Sequence, residues 1–140
     1  MKTVDIRRHV YLSVPPATVW RALVDPKLVK QYYYEMELKA ELRKGGDFSY
    51  WWPEKPSIRG KVVSIAKGRK LVTTFAFWRL NDAPSRVSFE VKKVGRVTDL
   101  AFAHTGLDPR SKTYKWVSGG WDGILSALKT LLETGKPLRW

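Results

Sequence analysis

The sequence contains no cysteine, which excludes a disulfide framework, a thiolate metal site and a cysteine nucleophile. It has only two histidines, His9 and His104, and no HExxH pair, so a zinc site would need carboxylates from scattered places. No uninterrupted apolar run approaches the ~20 residues of a membrane span. The opening MKTVDIRRHV has no apolar stretch like that of a signal peptide. Neither a GxxxxGK phosphate loop nor a GxGxxG turn occurs, and Lys44–Gly45–Gly46–Asp47 reads as a hairpin turn. Acidic residues are scarce: 13 Asp and Glu stand against 26 Lys and Arg, a formal net charge of +13. The densest basic groups are Arg7–Arg8, Lys67–Arg69–Lys70, Lys92–Lys93 and Arg110–Lys112–Lys115, and none is a run of five. So dispersed a charge reads as a solvated surface, and nucleic acid is not the expected partner. These absences together describe a soluble, cytoplasmic protein.

What is present is apolar and aromatic. Of 140 residues, 44% are hydrophobic and 13% aromatic, which excludes low-hydrophobicity disorder and suits a single domain with its own core. Val4, Ile6, Val10, Leu12 and Val14 share one parity and predict a first strand, ended by Pro15–Pro16. Ala17–Val24 and Lys27–Tyr33 read as two short helices separated by Asp25–Pro26, and the triple tyrosine Tyr32–Tyr33–Tyr34 leads into extended chain. Six strands then follow as a meander: 36–42, 47–52, 58–66, 70–80, 86–92 and 97–105, joined by short turns. Beyond them Tyr114, Val117, Trp121, Ile124, Leu128 and Leu131 fall at alternating steps of three and four, which predicts one helix over 111–134. Asp108–Pro109 supplies its start, and Gly135 with Pro137 its stop.

Gly119, Gly120 and Gly123 conflict with that helix, since each disfavours it by roughly 1 kcal/mol relative to alanine. Gly120, Gly123 and Ala127 form a smooth ridge: either another backbone packs closely there, or room is left over the sheet for something else. His104 lies on the apolar face of its strand with Leu100 and Phe102, as a satisfied core histidine or as a polar anchor in a pocket. Asp99 has the opposite parity and is not expected to orient it. Glu35 and Glu37 share a parity, but among so many lysines they read as a solvated face. The aromatic residues admit two readings. On an exposed basic sheet they would stack nucleotides. Between sheet and helix they would form a core or line an apolar cavity, and the helix stripe that must be covered favours this second reading.

The segment SGGWDGILSALKTLLETGKPL (118–138) resembles the signature of the activator of heat-shock-protein-90 ATPase homologue-like branch of the SRPBCC superfamily. VYLSVPPATVWRALVDP (10–26), LRKGGDFSY (42–50), RGKVVSI (59–65), KLVTTF (70–75) and SRVSFEV (85–91) match in the same order, so the resemblance covers nearly the whole chain. It implies an α+β helix-grip fold, like START domains and the birch-pollen allergen: a curved antiparallel sheet wrapped around a long C-terminal helix, with two short helices after the first strand. It also implies a cavity between sheet and helix, and a setting in the stress response. Many members bind hydrophobic small molecules, some relatives catalyse cyclisations, and the family offers no common catalytic set to transfer. The eukaryotic co-chaperone has an additional N-terminal domain for which 140 residues leave no room, so ATPase activation is not expected.

The resulting expectation is non-enzymatic binding of a hydrophobic or aromatic small molecule, without cofactor or metal. Its pocket would be walled by Phe48, Tyr50, Trp52, Phe75, Phe77, Phe89, Phe102, Trp116, Gly120, Trp121 and Ile124. His104 and Tyr50 would supply orienting hydrogen bonds, and rim Lys and Arg would favour an anionic ligand group. Thr74 and Trp78 replace Phe75 and Phe77 if the strand parity is reversed. The alternatives are a protein-interaction module, co-chaperone-like or accessory to a regulator, and a cyclase- or hydrolase-type enzyme using His104 with a tyrosine.

Overall fold

In the computed structural model, which describes residues 2–139, the chain begins with β1 (Val4–Leu12) and the two short helices α1 (Pro16–Val24) and α2 (Pro26–Tyr32). The strands β2 (Glu37–Ala40), β3 (Phe48–Trp51), β4 (Pro56–Arg59), β5 (Val62–Ala66), β6 (Lys70–Phe77), β7 (Ser85–Val94) and β8 (Val97–Leu107) follow, then α3 (Lys112–Val117) and α4 (Gly120–Thr134). Pro16 and Pro26 start the two early helices, where a missing N–H costs nothing, and the Asp25 carboxylate caps α2 by accepting from the Lys27 N–H. The strands form one antiparallel eight-stranded sheet in the order β1-β8-β7-β6-β4-β3-β2, with β5 paired to β6 beside β4. This is the helix-grip architecture expected from the sequence, an α+β fold with the C-terminal helix against one face of the sheet.

Two elements differ from expectation, and both differences arise at glycine. The single strand expected over 58–66 is two strands, β4 and β5, which makes seven strands after the early helices instead of six. A Cβ at Gly60 would stand 2.4 Å from the Thr74 carbonyl oxygen and 2.6 Å from that of Phe48. Only a residue without a side chain lets the chain pass between β3 and β6 at that point, and the strand breaks there. The long helix expected over 111–134 is also two helices, broken at Ser118–Gly119. Two successive glycines withdraw enough helix propensity to interrupt the hydrogen-bond ladder, although the apolar spacing runs on through them. The helix that covers the sheet is therefore 15 residues long, about 22 Å rather than 36 Å.

α4 buries Trp121, Ile124, Leu125, Ala127, Leu128 and Leu131 against the inner sheet face and the early helices. It is strapped at one end to β1 and at the other to the residue that follows β1. Arg8 Nε donates to Asp122 Oδ1 over 2.8 Å, and the Ser13 N–H donates to Glu133 Oε2 over 2.8 Å. That N–H, helped by Lys129, holds the Glu133 carboxyl below its usual range. α3 is held from the opposite side: Asp82, in the β6–β7 loop, accepts both the backbone N–H and the hydroxyl of Thr113, at 3.0 and 2.7 Å. These ties fix the two helices independently on either side of the break.

Candidate functional site

Phe75 and Phe77 point to the inner face of β6, and Thr74 and Trp78 to the outer, as the register Thr73↔Val87, Phe75↔Ser85 and the burial of Phe75 require. From this face the aromatic residues separate into two groups. The first surrounds Trp121, which is 2% exposed. Its indole lies 4.4 Å from the ring of Phe102, 5.8 Å from Tyr33, 6.2 Å from Phe75 and 6.4 Å from Phe89, centroid to centroid. Tyr33 stacks on Tyr50 at 4.1 Å, and Tyr50 meets Phe48 edge-on at 5.8 Å. Burial raises the hydroxyl pKa values of Tyr32, Tyr33 and Tyr50 above the ordinary 10, so all three stay neutral. The free space inside this cluster is about 10 Å³, too little for a ligand.

His104 belongs to the same cluster and is fully buried. The Trp121 Nε1–H donates to His104 Nδ1 over 3.0 Å. Because an indole can only donate, Nδ1 must be the bare nitrogen, and the proton of the neutral ring sits on Nε2. Nε2 faces the Ser85 hydroxyl at 2.6 Å and donates to it, and that hydroxyl faces the Phe75 carbonyl at 3.4 Å. Burial lowers the imidazole pKa from 6.5 to about 4. The arrangement is thus a locked chain running Trp121 to His104 to Ser85. The imidazole donates its one N–H hydrogen bond to Ser85 and has no free nitrogen with which to activate it. The expected orienting role toward a ligand does not fit this geometry, nor does an acid–base role; His104 orients Trp121 instead.

The second group is open. Trp52, Phe77 and Trp116, with Tyr34, Met36, Pro56 and Ser57, wall a groove of about 400 Å³ whose rim carries Lys55 and Arg79. Trp116 is 51% exposed and Trp52 38%. Trp116 packs edge-on against Phe77 at 5.0 Å. The groove continues inward, past Tyr34, Met36, Phe77 and Trp116, into a small apolar space of about 50 Å³ bounded by Ile58, Phe75, Gly120, Trp121 and Ile124. Tyr34 sits at this throat, and it and the next residue, Glu35, have positive φ of 51° and 58°, a conformation that disfavours side chains. A Cβ on Gly120 would stand 3.1 Å from the Tyr34 hydroxyl, so the glycine leaves the floor of the throat free.

Of the twelve residues expected at the site, Trp52, Phe75, Phe77, Trp116, Gly120, Trp121 and Ile124 line the groove or its inner extension. Phe48, Tyr50, Phe89, Phe102 and His104 lie in the packed cluster behind Trp121. Sequence reasoning did not name Tyr33, Tyr34, Met36, Lys55, Pro56, Ser57, Ile58, Arg79 and Val117 at the site; for the two tyrosines the one available signal was the triplet itself. Asp99, whose parity excluded it from His104, accepts on the outer sheet face from His9, Nδ1 to Oδ1 at 2.9 Å. Among the described residues no cluster of His, Asp and Glu could hold a metal ion, and no helix is long and apolar enough to cross a membrane.

Residues 13–133 match the family described as activator of Hsp90 ATPase homolog 1-like protein. Solved structures carry the same fold at low identity. The Aha1 dimer from Colwellia psychrerythraea aligns with a TM-score of 0.79 at 18% identity, over 95% of this chain and 98% of that one. An HSP90 activator from Plasmodium falciparum aligns with a TM-score of 0.79 at 23% identity, over 91% and 95%. CalU16 from Micromonospora echinospora aligns with a TM-score of 0.75 at 23% identity, over 97% and 76%. No curated protein sequence matches the chain.

Proposed function

The chain belongs to the activator of Hsp90 ATPase homolog 1-like family, a membership that supports a ligand-binding or Hsp90-activator-like role, and from that premise we propose that it binds a hydrophobic, aromatic small molecule bearing an anionic group. The observation that carries this reading is the groove of about 400 Å³ between Trp52, Phe77 and Trp116, a volume within the range of small-molecule sites, roughly 300–1,000 Å³. In this reading a flat ring lies in the groove that the two exposed indoles border, where aromatic contact adds to area burial. Its anionic group meets Lys55 and Arg79 at the rim. An apolar substituent reaches the small space against Gly120. The protein acts in this reading as a binder in the cytoplasm, in keeping with a chain that has no cysteine. The site proposed here meets the cluster around Trp121 only at its inner end, where Trp121 and Phe75 bound the small space; the cluster behind them is filled by its own side chains.

Native mass spectrometry of the purified protein, with titration of the anionic fluorophore 8-anilinonaphthalene-1-sulfonate, tests the reading. Saturable binding that aromatic acids displace is expected, weakened at least ~10-fold by Trp116→Ala. No co-purified mass and no saturable binding, or binding indifferent to Trp116→Ala, overturns it. A role on a protein partner is the second reading, and it rests on the family alone.

A further inference from the structure

The outer face of the sheet carries a feature that the groove on the inner side does not use. Parity places Lys39 on β2, Trp51 on β3, Arg59 on β4 and Trp78 just past β6 on this face. Lys39 Nζ lies 4.1 Å from the centroid of Trp51, and the Arg59 guanidinium 5.5 Å from that of Trp78. Neither cation has a carboxylate partner among the described residues, whereas the neighbouring Lys61 is paired with Asp47. Lys39, Trp51 and Arg59, with the Asp47–Lys61 pair and Ser49, border an open groove of about 510 Å³ that Pro56, Gly60, Thr74, Ala76 and Pro84 also line.

We propose that this outer groove docks an acidic segment of a partner polypeptide, its carboxylates meeting Lys39 and Arg59 and its aliphatic carbons resting on Trp51 and Pro84. The charge complementarity is local: Lys39 and Arg59 are unpaired among the described residues, whereas Asp47, the one carboxylate lining the groove, is already neutralised by Lys61. A stacked base is the poorer fit: the cations already occupy ring faces that a nucleotide platform would leave open. Rings that hold cations in place reduce the ordering cost of binding a carboxylate, since both side chains are positioned before the partner arrives.

Isothermal titration with a short oligoglutamate peptide at low salt provides the test, read on two charge-reversal pairs of equal net charge. Lys39→Glu with Arg59→Glu lies in the groove; Lys92→Glu with Lys93→Glu lies at the far end of β7, also exposed. The groove pair is expected to weaken binding at least ~10-fold and the distant pair less than ~3-fold. Circular dichroism establishes that both variants are folded, as expected for exposed positions. Equal losses in the two pairs show a diffuse attraction to net charge and overturn the proposal. So does absence of binding, and so does tighter binding of an oligothymidylate of the same charge, which assigns the face to nucleic acid.

Discussion

Two tryptophans five positions apart stand on opposite sides of a helix break and have opposite fates. Trp121, on α4, is 2% exposed, ringed by Tyr33, Phe75, Phe89 and Phe102, and hydrogen-bonded to His104. Trp116, on α3, is 51% exposed and touches Phe77 at the edge of an open groove. The residue type is the same, so the difference lies in the backbone that carries it. α4 is strapped to β1 through Asp122 and to Ser13, just past β1, through Glu133, and drives its stripe into the sheet. α3 is tied through Thr113 to Asp82 in the β6–β7 loop and holds Trp116 at the mouth. Aromatic content alone therefore does not distinguish a wall from a filler; the break at Ser118–Gly119 does.

The sharpest way to break this comparison is to truncate both residues. Trp121→Ala removes the centre of the packed cluster and leaves His104 Nδ1 without its donor. It should destabilise by about 3–5 kcal/mol in urea unfolding. Trp116→Ala should cost under about 1 kcal/mol while abolishing most probe binding. Similar stability losses at the two positions would contradict the division drawn between them.

The next largest effect concerns pH. His104 has its pKa lowered from 6.5 to about 4 in the folded protein, so as pH falls the unfolded chain takes up the proton first. Its contribution to stability is full above pH 6.5, declines between 6.5 and 4, and amounts to on the order of 3 kcal/mol lost by pH 4. The ring signals of His104 followed by NMR should show no protonation down to pH 5. Titration near 6.5 would mean that the Trp121–His104–Ser85 chain is open.

Smaller effects separate the throat from the cluster. Gly120→Leu fills the inner extension of the groove and displaces the Tyr34 hydroxyl. It should weaken binding of apolar-tailed probes by roughly 10-fold and affect stability by under about 2 kcal/mol. Gly119→Ala tests the break itself. Gly119 sits at φ −103°, ψ −18°, with nothing within 4 Å of an added Cβ. Alanine there should raise stability by about 0.4–1 kcal/mol. A loss on thermal melting would show that the break requires glycine for reasons beyond helix propensity.

Much of this arrangement was legible in the residues. The parity of Phe75, Phe89 and Phe102, the stripe Trp121–Ile124–Leu128–Leu131, and the proline and glycine stops gave every element, apart from the two splits at Gly60 and Ser118–Gly119. Those splits were hidden for a common reason. The hydrophobic period continues across both, while the close approach of Thr74 and Phe48 at Gly60 is a tertiary constraint that no local pattern records. The site was legible only by face. Strand parity placed the aromatic residues inward, but not how deep each one lies beneath α4, and depth decides between Phe102 in the cluster and Phe77 in the groove. Tyr34, Met36, Lys55 and Arg79 come from loops and element ends, where periodicity has nothing to say.

The most direct measurement is an NMR titration of the tryptophan indole N–H signals with 8-anilinonaphthalene-1-sulfonate. The account predicts that the resonances of Trp52 and Trp116 move and saturate together, while that of Trp121, bonded to His104, stays in place and resists exchange with solvent. Movement of the Trp121 signal with Trp52 and Trp116 unchanged would contradict it, and would return the ligand to the space between sheet and helix.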